Sequence, residues 1–415
     1  MRGSAKLIAA GAIGNVLEWY DFAVYGYFAS VIGRTFFPGE DPVAQLLSAY
    51  GIFAVGFVAR PLGGMVVGHI GDRYGRRAAL TLSVAAMALP TCLIGLLPGY
   101  QTLGIAAPIL LTVLRLIQGL SVGGETTTSI VFLVEHAPER RRAVMATVSC
   151  GGATIGIMMG SAAGAVLASV LSPEALHGWG WRIPFVLGLL VGVAGYFIRR
   201  DMVEEPRTVS ARLPLVEAVH GHGLLIARLF GMSVLNACGF FVMFVYIVSW
   251  LETVGGIDPG RALNINTINM LLQVLVMFGM AWLSDRIGRR LLMLAATALC
   301  FVGALPLLWL MHQTSPLLIF TGQFVFTLLL GTTWGVQPAL MVEATPPGVR
   351  CTMIAIAFNL AMGLVGGLSP LAATWLVATT RQPLSPAFLV MVAAAVTFLS
   401  VLSFGESYRS KLAIA

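Results

Sequence analysis

Long runs of apolar residues alternate with short polar connectors along this chain of 415 residues. The runs hold about 20 residues or more, the length at which an α-helix crosses the hydrocarbon core of a bilayer. The pattern therefore predicts twelve membrane-spanning helices. Their predicted bounds are 7–33, 45–71, 78–98, 105–134, 143–171, 180–200, 223–250, 262–283, 291–311, 317–342, 351–380 and 385–404.

The composition supports an integral membrane protein. The chain is 58% hydrophobic and only 10% charged, and its mean hydropathy is +0.88, whereas about a quarter of an average soluble chain is charged. The first apolar run contains two acids and no small-residue cleavage site, so it is not a removable signal peptide. The cysteines lie in apolar surroundings without metal-ligand spacing. We expect no metal and no cofactor other than a proton gradient.

The basic residues predict the orientation in the membrane. The net charge of +7 comes from Lys and Arg concentrated in connectors on one side, while the other side holds only Arg34, Arg182, Arg261 and Arg381. Because cytoplasmic connectors carry the excess of Lys and Arg, we expect both termini in the cytoplasm and a bacterial inner (plasma) membrane location. This distribution also argues against a nucleic-acid partner.

The connectors divide the chain in the middle. The longest, at about 199–222, is charged and contains Pro206 and Pro214. We therefore expect an N-terminal six-helix bundle at 1–198, a cytoplasmic central loop at 199–222 and a C-terminal six-helix bundle at 223–415.

Two charged patterns recur in both halves. GHIGDRYGRR (68–77) corresponds to AWLSDRIGRR (281–290), and VEHAPERRRA (134–143) corresponds to VEATPPGVRC (342–351). Repeats in the same order on the same membrane side predict two bundles related by an axis along the membrane normal, as described for some secondary transporters.

The first pattern resembles the signature loop of the major facilitator superfamily. Further stretches resemble its metabolite:proton symporter family: GNVLEWYDF (14–22), VARPLGG (58–64), RLIQGLSVGGE (115–125), WGWRIPF (179–185) and SDRIGRR (284–290). The resemblance covers about 10–405 and implies an all-α membrane protein with twelve helices in two pseudo-symmetric bundles. That family includes proton-coupled carriers of citrate, 2-oxoglutarate, shikimate, proline and betaine. Ala281 stands where the first-half loop has Gly68.

Five charged residues lie inside predicted spans of the N-terminal half, namely Glu18, Asp21, Arg60, Arg115 and Glu125. Each costs about 2.5–3.5 kcal/mol at mid-bilayer, which calls for a function. At about 1.5 Å per residue, the three acids and Arg60 share one central layer, whereas Arg115 lies about 30 Å from the cytoplasmic end of its span. Glu18 and Asp21, three residues apart, lie on one helix face.

These charges predict proton coupling by Glu18, Asp21, Glu125 and Arg115. An acid whose protonation depends on its partner can couple proton and substrate binding. Either Glu18 or Asp21 carries the proton, and either Arg60 or Arg115 meets a substrate carboxylate. The role of Arg115 in coupling is also implied by the family resemblance. The alternative is a set of static ion pairs that join the first, second and fourth spans.

The C-terminal half offers neutral polar and aromatic groups at comparable positions. We expect both halves to contribute to the substrate site. The candidate substrate-binding residues are Arg60, Arg115, Asn15, Tyr25, Gln118, Asn236, Tyr246, Trp334, Gln337 and Asn359.

The repeated connector patterns predict a gate at the cytoplasmic face. The positive-inside rule explains the arginines but not the acids among them, so we expect ion pairs that form in one state and part in the other. At a wet surface each pair would contribute about 0–1 kcal/mol. The candidate gating residues are Asp72, Arg73, Arg76, Arg77, Glu135, Arg142, Asp285, Arg286, Arg289, Arg290, Glu343 and Arg350.

The sequence thus predicts a transporter and not an enzyme. We expect a proton symporter that imports a small organic acid of the di- or tricarboxylate type, such as citrate, by alternating access and as a monomer. The alternative substrate is a zwitterion such as proline or betaine. The short stretch after Lys411 argues against an osmosensing carrier with a coiled-coil extension. A transporter-like receptor or sensor is the remote alternative.

Overall fold

Helices coincide with all twelve predicted spans in the computed structural model, which describes residues 15–16, 18–63, 76–121, 125–199, 214–408 and 412. We number them α1 to α12. The bounds are α1, 18–27 continuing as Ala29–Phe36; α2, Pro42–Gly63; α3, Arg76–Leu96; α4, Ala106–Ser121 and Glu125–Glu135; α5, Arg142–Val170; α6, Arg182–Arg199; α7, Pro214–Phe240 continuing to Thr253; α8, Pro259–Ile287; α9, Arg289–Met311; α10, Pro316–Glu343; α11, Arg350–Leu360 continuing to Thr380; and α12, Pro386–Leu402.

Eight of the described helices are long and apolar enough to cross a membrane, and the apolar stretches Thr81–Leu96 and Pro386–Leu402 are shorter. Large apolar side chains such as Leu190, Leu275 and Val302 are more than 60% exposed. Such side chains are suited to contact with lipid tails. Because the tails are themselves apolar, there is no hydrophobic driving force to bury these side chains inside the protein. The protein is a multi-pass membrane protein.

Two helices begin three residues before their predicted start, and for the same reason. Asp41 precedes Pro42 at the start of α2 and accepts a hydrogen bond from the amide of Val43 at 2.9 Å. Asp258 precedes Pro259 in α8 and accepts from the amide of Arg261 at 3.0 Å. A capping acid followed by proline starts a helix, but neither residue extends the apolar pattern from which the spans were predicted.

The predicted central loop also differs. Helix α7 begins at Pro214, inside the range 199–222, and bends at His222, where φ is −136°. The apolar pattern located only the part of α7 beyond this bend.

Glycines on α5 allow close contact with α1 and α8, as the four-residue glycine repeat of this helix predicts. A Cβ on Gly160 would lie 3.2 Å from the Cβ of Ala23 in α1, and one on Gly164 would lie 3.1 Å from Leu263 in α8. This close packing places α5 of the N-terminal half directly against the C-terminal half.

Helices α2 and α11 form a second contact between the halves. A Cβ on Gly363 of α11 would lie 2.9 Å from the carbonyl oxygen of Phe57 in α2. Both α7 and α11 contain a widened π-helical turn near this level, at Phe241–Tyr246 and Ala361–Gly366. Such turns are frequent at functional sites, and here they bring the Phe241 ring toward the N-terminal half.

Candidate functional site

Glu18 and Arg60 form an ion pair between α1 and α2. One guanidinium nitrogen of Arg60 donates to the Glu18 carboxylate. The two side chains are only 11% and 3% exposed. Because a buried charge without a partner is costly, each of these residues stabilises the other in its ionised form.

Aromatic rings enclose this ion pair. The Arg60 guanidinium carbon lies 4.9 Å from the ring centres of Trp19 and Phe57 and 5.0 Å from that of Phe22. Phe241 of α7 packs against Phe57 with ring centres 5.0 Å apart. We call Glu18, Arg60, Trp19, Phe22, Phe57 and Phe241 the aromatic ion-pair site. It contains side chains from both halves.

Asp21 lies in a different environment, within the N-terminal half. It is 4% exposed, and its carboxyl group lies beside the Thr91 hydroxyl of α3 and within electrostatic range of Arg115. Gly188 of α6 provides the space, because a Cβ there would lie 3.1 Å from Asp21 Oδ1. Asp21 therefore faces α3, α4 and α6, and Glu18 faces α2.

A chain of hydrogen bonds leads from Arg115 to the Thr91 hydroxyl beside Asp21. Arg115 Nη1 donates to Gln118 Oε1 at 2.9 Å, and Gln118 Nε2 donates to Thr91 Oγ1 at 2.6 Å. The guanidinium carbon of Arg115 also lies 3.7 Å from the centre of the Tyr25 ring. We call Asp21, Thr91, Gln118 and Arg115 the Asp21 cluster.

The expected depth of Arg115 is wrong. Arg115 does not lie far from the central layer, because it and Arg60 both contact Phe22, at 5.5 and 5.0 Å from the ring centre. The expected depth of Arg115 was counted from the cytoplasmic end of its helix. Helix α4 runs from Ala106 to Glu135 and is longer than the thickness of a bilayer core, about 30 Å, so distance from the helix end overstates depth in the membrane. Glu18 pairs with Arg60 of α2, and Asp21, one turn further along, lies beside Thr91 of α3. The side chain of Glu125 lies outside the described residues.

Several predicted substrate-binding residues bond to neighbours within one half. Asn15 donates to Ser149 Oγ at 3.0 Å and accepts from Thr126 Oγ1 at 2.8 Å, and the Tyr25 hydroxyl donates to the Ala49 carbonyl oxygen at 3.0 Å. Asn236 donates to Gln337 Oε1. Gln337 in turn donates to Ser233 Oγ at 2.6 Å. Their amide and hydroxyl groups thus stabilise helix packing.

The other candidates in the C-terminal half lie at different places. Trp334 packs against Phe240 and Phe358, with ring centres 5.8 and 6.2 Å apart, and its indole N–H has no hydrogen-bond partner among the described residues. Tyr246 is buried with its ring centre 6.0 Å from that of Tyr50 in α2. Asn359 of α11 is half-buried.

Reciprocal ion pairs join the halves at the predicted cytoplasmic face. Arg350 Nη1 lies 2.5 Å from Glu135 Oε1, and Arg142 Nη1 lies 3.4 Å from Glu343 Oε1. Glu135 and Arg142 of the first repeat therefore pair with Arg350 and Glu343 of the second. The acid of each repeat thus pairs with the arginine of the other repeat, and the two pairs are equivalent under the internal repeat of the sequence.

Asp285 and Arg289 extend these contacts. Asp285 accepts hydrogen bonds from the amides of Ala143 and Val144, at 3.1 and 3.3 Å, at the N-terminus of α5. Arg289 pairs with Asp285 at 2.7 Å and with Glu343 at 3.1 Å. An acid at a helix N-terminus is favoured by the helix dipole. The inter-half network consists of Glu135, Arg142, Asp285, Arg289, Glu343 and Arg350.

The expectation of water-exposed pairs is wrong for this network. The side chains of Arg142, Arg289, Arg350 and Glu343 are all less than 5% exposed, and only that of Glu135 reaches 25%. The connectors are short and polar, so the sequence suggested solvent, but the two halves bury these charges against each other.

Of the remaining gating candidates, the described side chains of Arg286 and Arg290 lie outside this network. Arg286 is exposed and lies 3.6 Å from the Trp282 ring centre, and Arg290 donates to the Leu402 carbonyl oxygen at 3.1 Å. Asp72 and Arg73 lie outside the described residues, as do the side chains of Arg76 and Arg77.

The whole chain is similar to one family of carriers. A family model described as Major Facilitator Superfamily matches residues 11–370, with a further match over 229–413. The chain belongs to the major facilitator superfamily. Two solved structures share its fold: a D-xylose–proton symporter (TM-score 0.78, 18% identity, 98% of this chain and 99% of that chain) and the inward open xylose transporter XylE from E. coli (TM-score 0.73, 17% identity, 98% and 97%).

Relatives within the superfamily carry substrate names. A proline/betaine transporter of Escherichia coli (strain K12) is 33% identical over 98% of this chain and 84% of its own length. The glycine betaine/proline/ectoine/pipecolic acid transporter OusA of Dickeya dadantii is 31% identical over 98% and 84%. These names overturn the expectation of a di- or tricarboxylate such as citrate, and they agree with the alternative of a zwitterionic solute.

Sequence reasoning missed several residues of these sites. Thr91 lies in an apolar span, and Phe57 and Phe241 look like ordinary core residues. Gln273 is a single polar residue within an apolar run, yet neither of its amide atoms has a hydrogen-bond partner among the described residues. The Gly363 and Gly366 pair in α11 was the available signal for Phe57 and Phe241, since small residues mark close helix contacts in membranes.

Proposed function

We propose that this superfamily member is a proton-coupled symporter that accumulates a zwitterionic solute, such as proline or betaine, by alternating access. The observation that carries the proposal is the aromatic ion-pair site. It presents one cation, one anion and several aromatic faces at a contact between the two halves.

A zwitterion is complementary to that set of groups. The solute carboxylate would pair with Arg60, and the solute ammonium would meet Glu18 and the aromatic faces, which attract cations at about 0.5–2 kcal/mol. Solute binding would replace the Glu18–Arg60 ion pair with two ion pairs to the solute, so that every charge keeps a partner of opposite sign. A di- or tricarboxylate would instead leave buried anions without cations, and such a charge is strongly unfavourable.

The Asp21 cluster is our candidate for the proton site. The Thr91 hydroxyl has one proton and donates it to the Met87 carbonyl oxygen at 2.8 Å. Asp21 itself is buried beside Thr91 and Arg115 of the same half, and a shielded carboxyl group of this kind can take up and release a proton without a change in the contact between the halves. This arrangement supports Asp21 as the proton carrier and assigns Glu18 to the solute.

The inter-half network supports the alternating-access part of the proposal. Its pairs join the first six helices to the last six, and we take the boundary between the two bundles to lie between the end of α6 at Arg199 and the start of α7 at Pro214. They must separate when the predicted cytoplasmic face opens. In this view both termini are cytoplasmic, the membrane is the bacterial inner membrane, the protein acts as a monomer and the proton gradient replaces any cofactor.

Uptake by proteoliposomes tests the proposal. Purified protein in vesicles with an acidic exterior should accumulate labelled proline or betaine, and a proton ionophore should abolish accumulation. Protein-free vesicles are the control. If neither solute accumulates in response to the pH gradient, the proposal is wrong.

A further inference from the structure

Gln273 of α8 is a buried amide without a hydrogen-bond partner among the described residues. Its side chain is fully buried, and neither Nε2 nor Oε1 is bonded. Leaving a buried donor or acceptor unpaired is costly, so native proteins rarely do so without a functional reason. Gln273 leaves both kinds of group unpaired at once.

The neighbouring amides show that the same helix can satisfy such groups. Gln323 Nε2 donates to Asn266 Oδ1 at 2.7 Å and to the Met243 carbonyl oxygen at 2.9 Å. Asn269 Nδ2 donates to Gln323 Oε1 at 3.3 Å. Gln273 lies one turn from Asn269 and takes no part in these bonds.

Gln273 lies on the face of α8 that meets the N-terminal half. Met270, three residues before it, accepts a hydrogen bond from the Tyr27 hydroxyl of α1 at 3.3 Å. Met277, four residues after it, accepts from Thr154 of α5 at 3.6 Å. Residues three and four apart share a helix face, so Gln273 faces the contact between the halves.

The depth of Gln273 in the membrane lies between that of Tyr27 and that of the aromatic ion-pair site. Helices α1 and α8 cross the membrane in opposite directions, and Tyr27 contacts Met270. Three residues further along α8 correspond to about 4.5 Å, which moves Gln273 from the level of Tyr27 toward that of Phe22.

The buried polar atoms without a partner among the described residues include both hydrogen-bond donors and one amide acceptor, and the two kinds suit different parts of a solute. Near the aromatic ion-pair site, the atoms Trp19 Nε1, Arg60 Nε and Trp334 Nε1 have no hydrogen-bond partner among the described residues, and all three are donors, which suit a solute carboxylate. Gln273 Oε1 is an acceptor and requires an N–H or O–H from a ligand. A secondary ammonium such as that of proline has two N–H groups, whereas the trimethylammonium group of betaine has none.

We propose that Gln273 is a specificity-determining residue that bonds the N–H groups of the solute's ammonium and so favours zwitterions with N–H groups over fully methylated ones. This inference rests on the proposed transport of zwitterions. A permethylated solute leaves Gln273 Oε1 unpaired, and a solute with an N–H group satisfies it.

The test compares Gln273→Met with the matched variant Gln323→Met. Methionine resembles glutamine in length and removes the amide. In proteoliposomes, unlabelled proline, sarcosine, dimethylglycine and betaine compete with labelled proline, a series in which the number of N–H groups falls from two to none. We expect Gln273→Met to lower the affinity for proline and sarcosine by about tenfold relative to the affinity for betaine. This change is within the range expected for the loss of one buried hydrogen bond.

Thermal unfolding of the purified proteins supplies the second readout. Gln273→Met removes two unpaired polar atoms, so the melting temperature of the solute-free protein should rise or stay constant. Gln323→Met breaks satisfied bonds, so it should lower the melting temperature and leave the order of the four solutes unchanged.

Each outcome decides between the possibilities. If wild-type protein accumulates the solutes but Gln273→Met keeps the wild-type order of affinities, Gln273 has a structural role, such as binding a buried water, and this inference alone is wrong. The same conclusion follows if Gln323→Met changes the order equally. If wild-type protein accumulates none of the solutes, both the proposed function and this inference are wrong.

Discussion

Glu18 and Asp21 are separated by one helical turn but lie in two different regions of the molecule. Glu18 pairs with Arg60 among aromatic rings, and Phe241 of the C-terminal half closes that group. Asp21 faces Thr91 and Arg115 inside the N-terminal half. In the proposed alternating-access cycle, movement of the halves would change the first region and leave the second intact.

This difference suggests how two tasks are kept apart. A site that must hold and release solute is placed where both halves contribute, as in carriers that rock around a central site. A site that must bind only a proton needs a shielded acid with a few fixed hydrogen bonds. Substitutions in the two regions should therefore have different functional consequences.

The largest effect is expected for Arg60→Gln. This change removes the cation that would pair with the solute carboxylate, and truncation of one partner of a buried charge pair costs about 2–5 kcal/mol of binding free energy, so solute binding should weaken by about 30-fold or more. Binding of labelled proline to purified protein measures this. Arg34→Gln is the control, because Arg34 is 47% exposed and lies 3.8 Å from Glu252. Near-normal proline affinity in Arg60→Gln would contradict the assignment of Arg60 to the solute.

Glu18→Gln should have the next largest effect. The neutral amide removes the anion that meets the solute ammonium, and hydrogen bonds to charged groups contribute about 1.5–3 kcal/mol. We expect affinity for proline and betaine to fall by about 10–100-fold, and exchange and gradient-driven accumulation to decline together. Loss of accumulation with normal exchange would instead make Glu18 the proton carrier.

A smaller and more selective effect is expected for Phe241→Ala. Loss of one aromatic face removes about 1–2 kcal/mol of attraction for a desolvated cation, so betaine affinity should fall by about 5–30-fold. Competition against labelled betaine measures it. Phe388→Ala, a change at a ring that is 55% exposed, should have no effect. Equal affinities in both variants would exclude Phe241 from the solute site.

The smallest effect is expected for Thr91→Val, which tests the Asp21 cluster. Loss of one hydrogen bond costs about 0.5–1.5 kcal/mol. The ratio of internal to external solute should therefore fall by up to about tenfold, while the affinity for the solute stays constant. Steady-state uptake at a fixed pH gradient gives the ratio. Thr91→Ser retains the hydroxyl and should behave as wild type. A change in affinity without a change in accumulation would place Thr91 in the solute site.

The sequence predicted the helices, the internal repeat and the superfamily because each depends on a pattern along the chain. Apolar runs locate spans, and Glu135, Arg142, Glu343 and Arg350 repeat in register. The residues that combine across helices were harder to find. Nothing in the local sequence of Phe57 or Phe241 indicates that they meet across the contact between the halves.

The substrate was predicted incorrectly for a similar reason. Two intramembrane arginines suggested two sites for carboxylates. In the structure Arg60 is already paired with Glu18, and Arg115 is engaged with Gln118 and the Tyr25 ring. The sequence lists charges, but only the three-dimensional arrangement shows which of them are already matched.

The division of tasks between Asp21 and Glu18 is tested most directly by Asp21→Asn in proteoliposomes. Two quantities are measured on the same preparation: exchange of labelled for unlabelled proline without a pH gradient, and accumulation driven by a gradient. We predict that exchange continues at a rate close to that of wild type and that accumulation is lost. Full gradient-driven accumulation in Asp21→Asn would contradict the account.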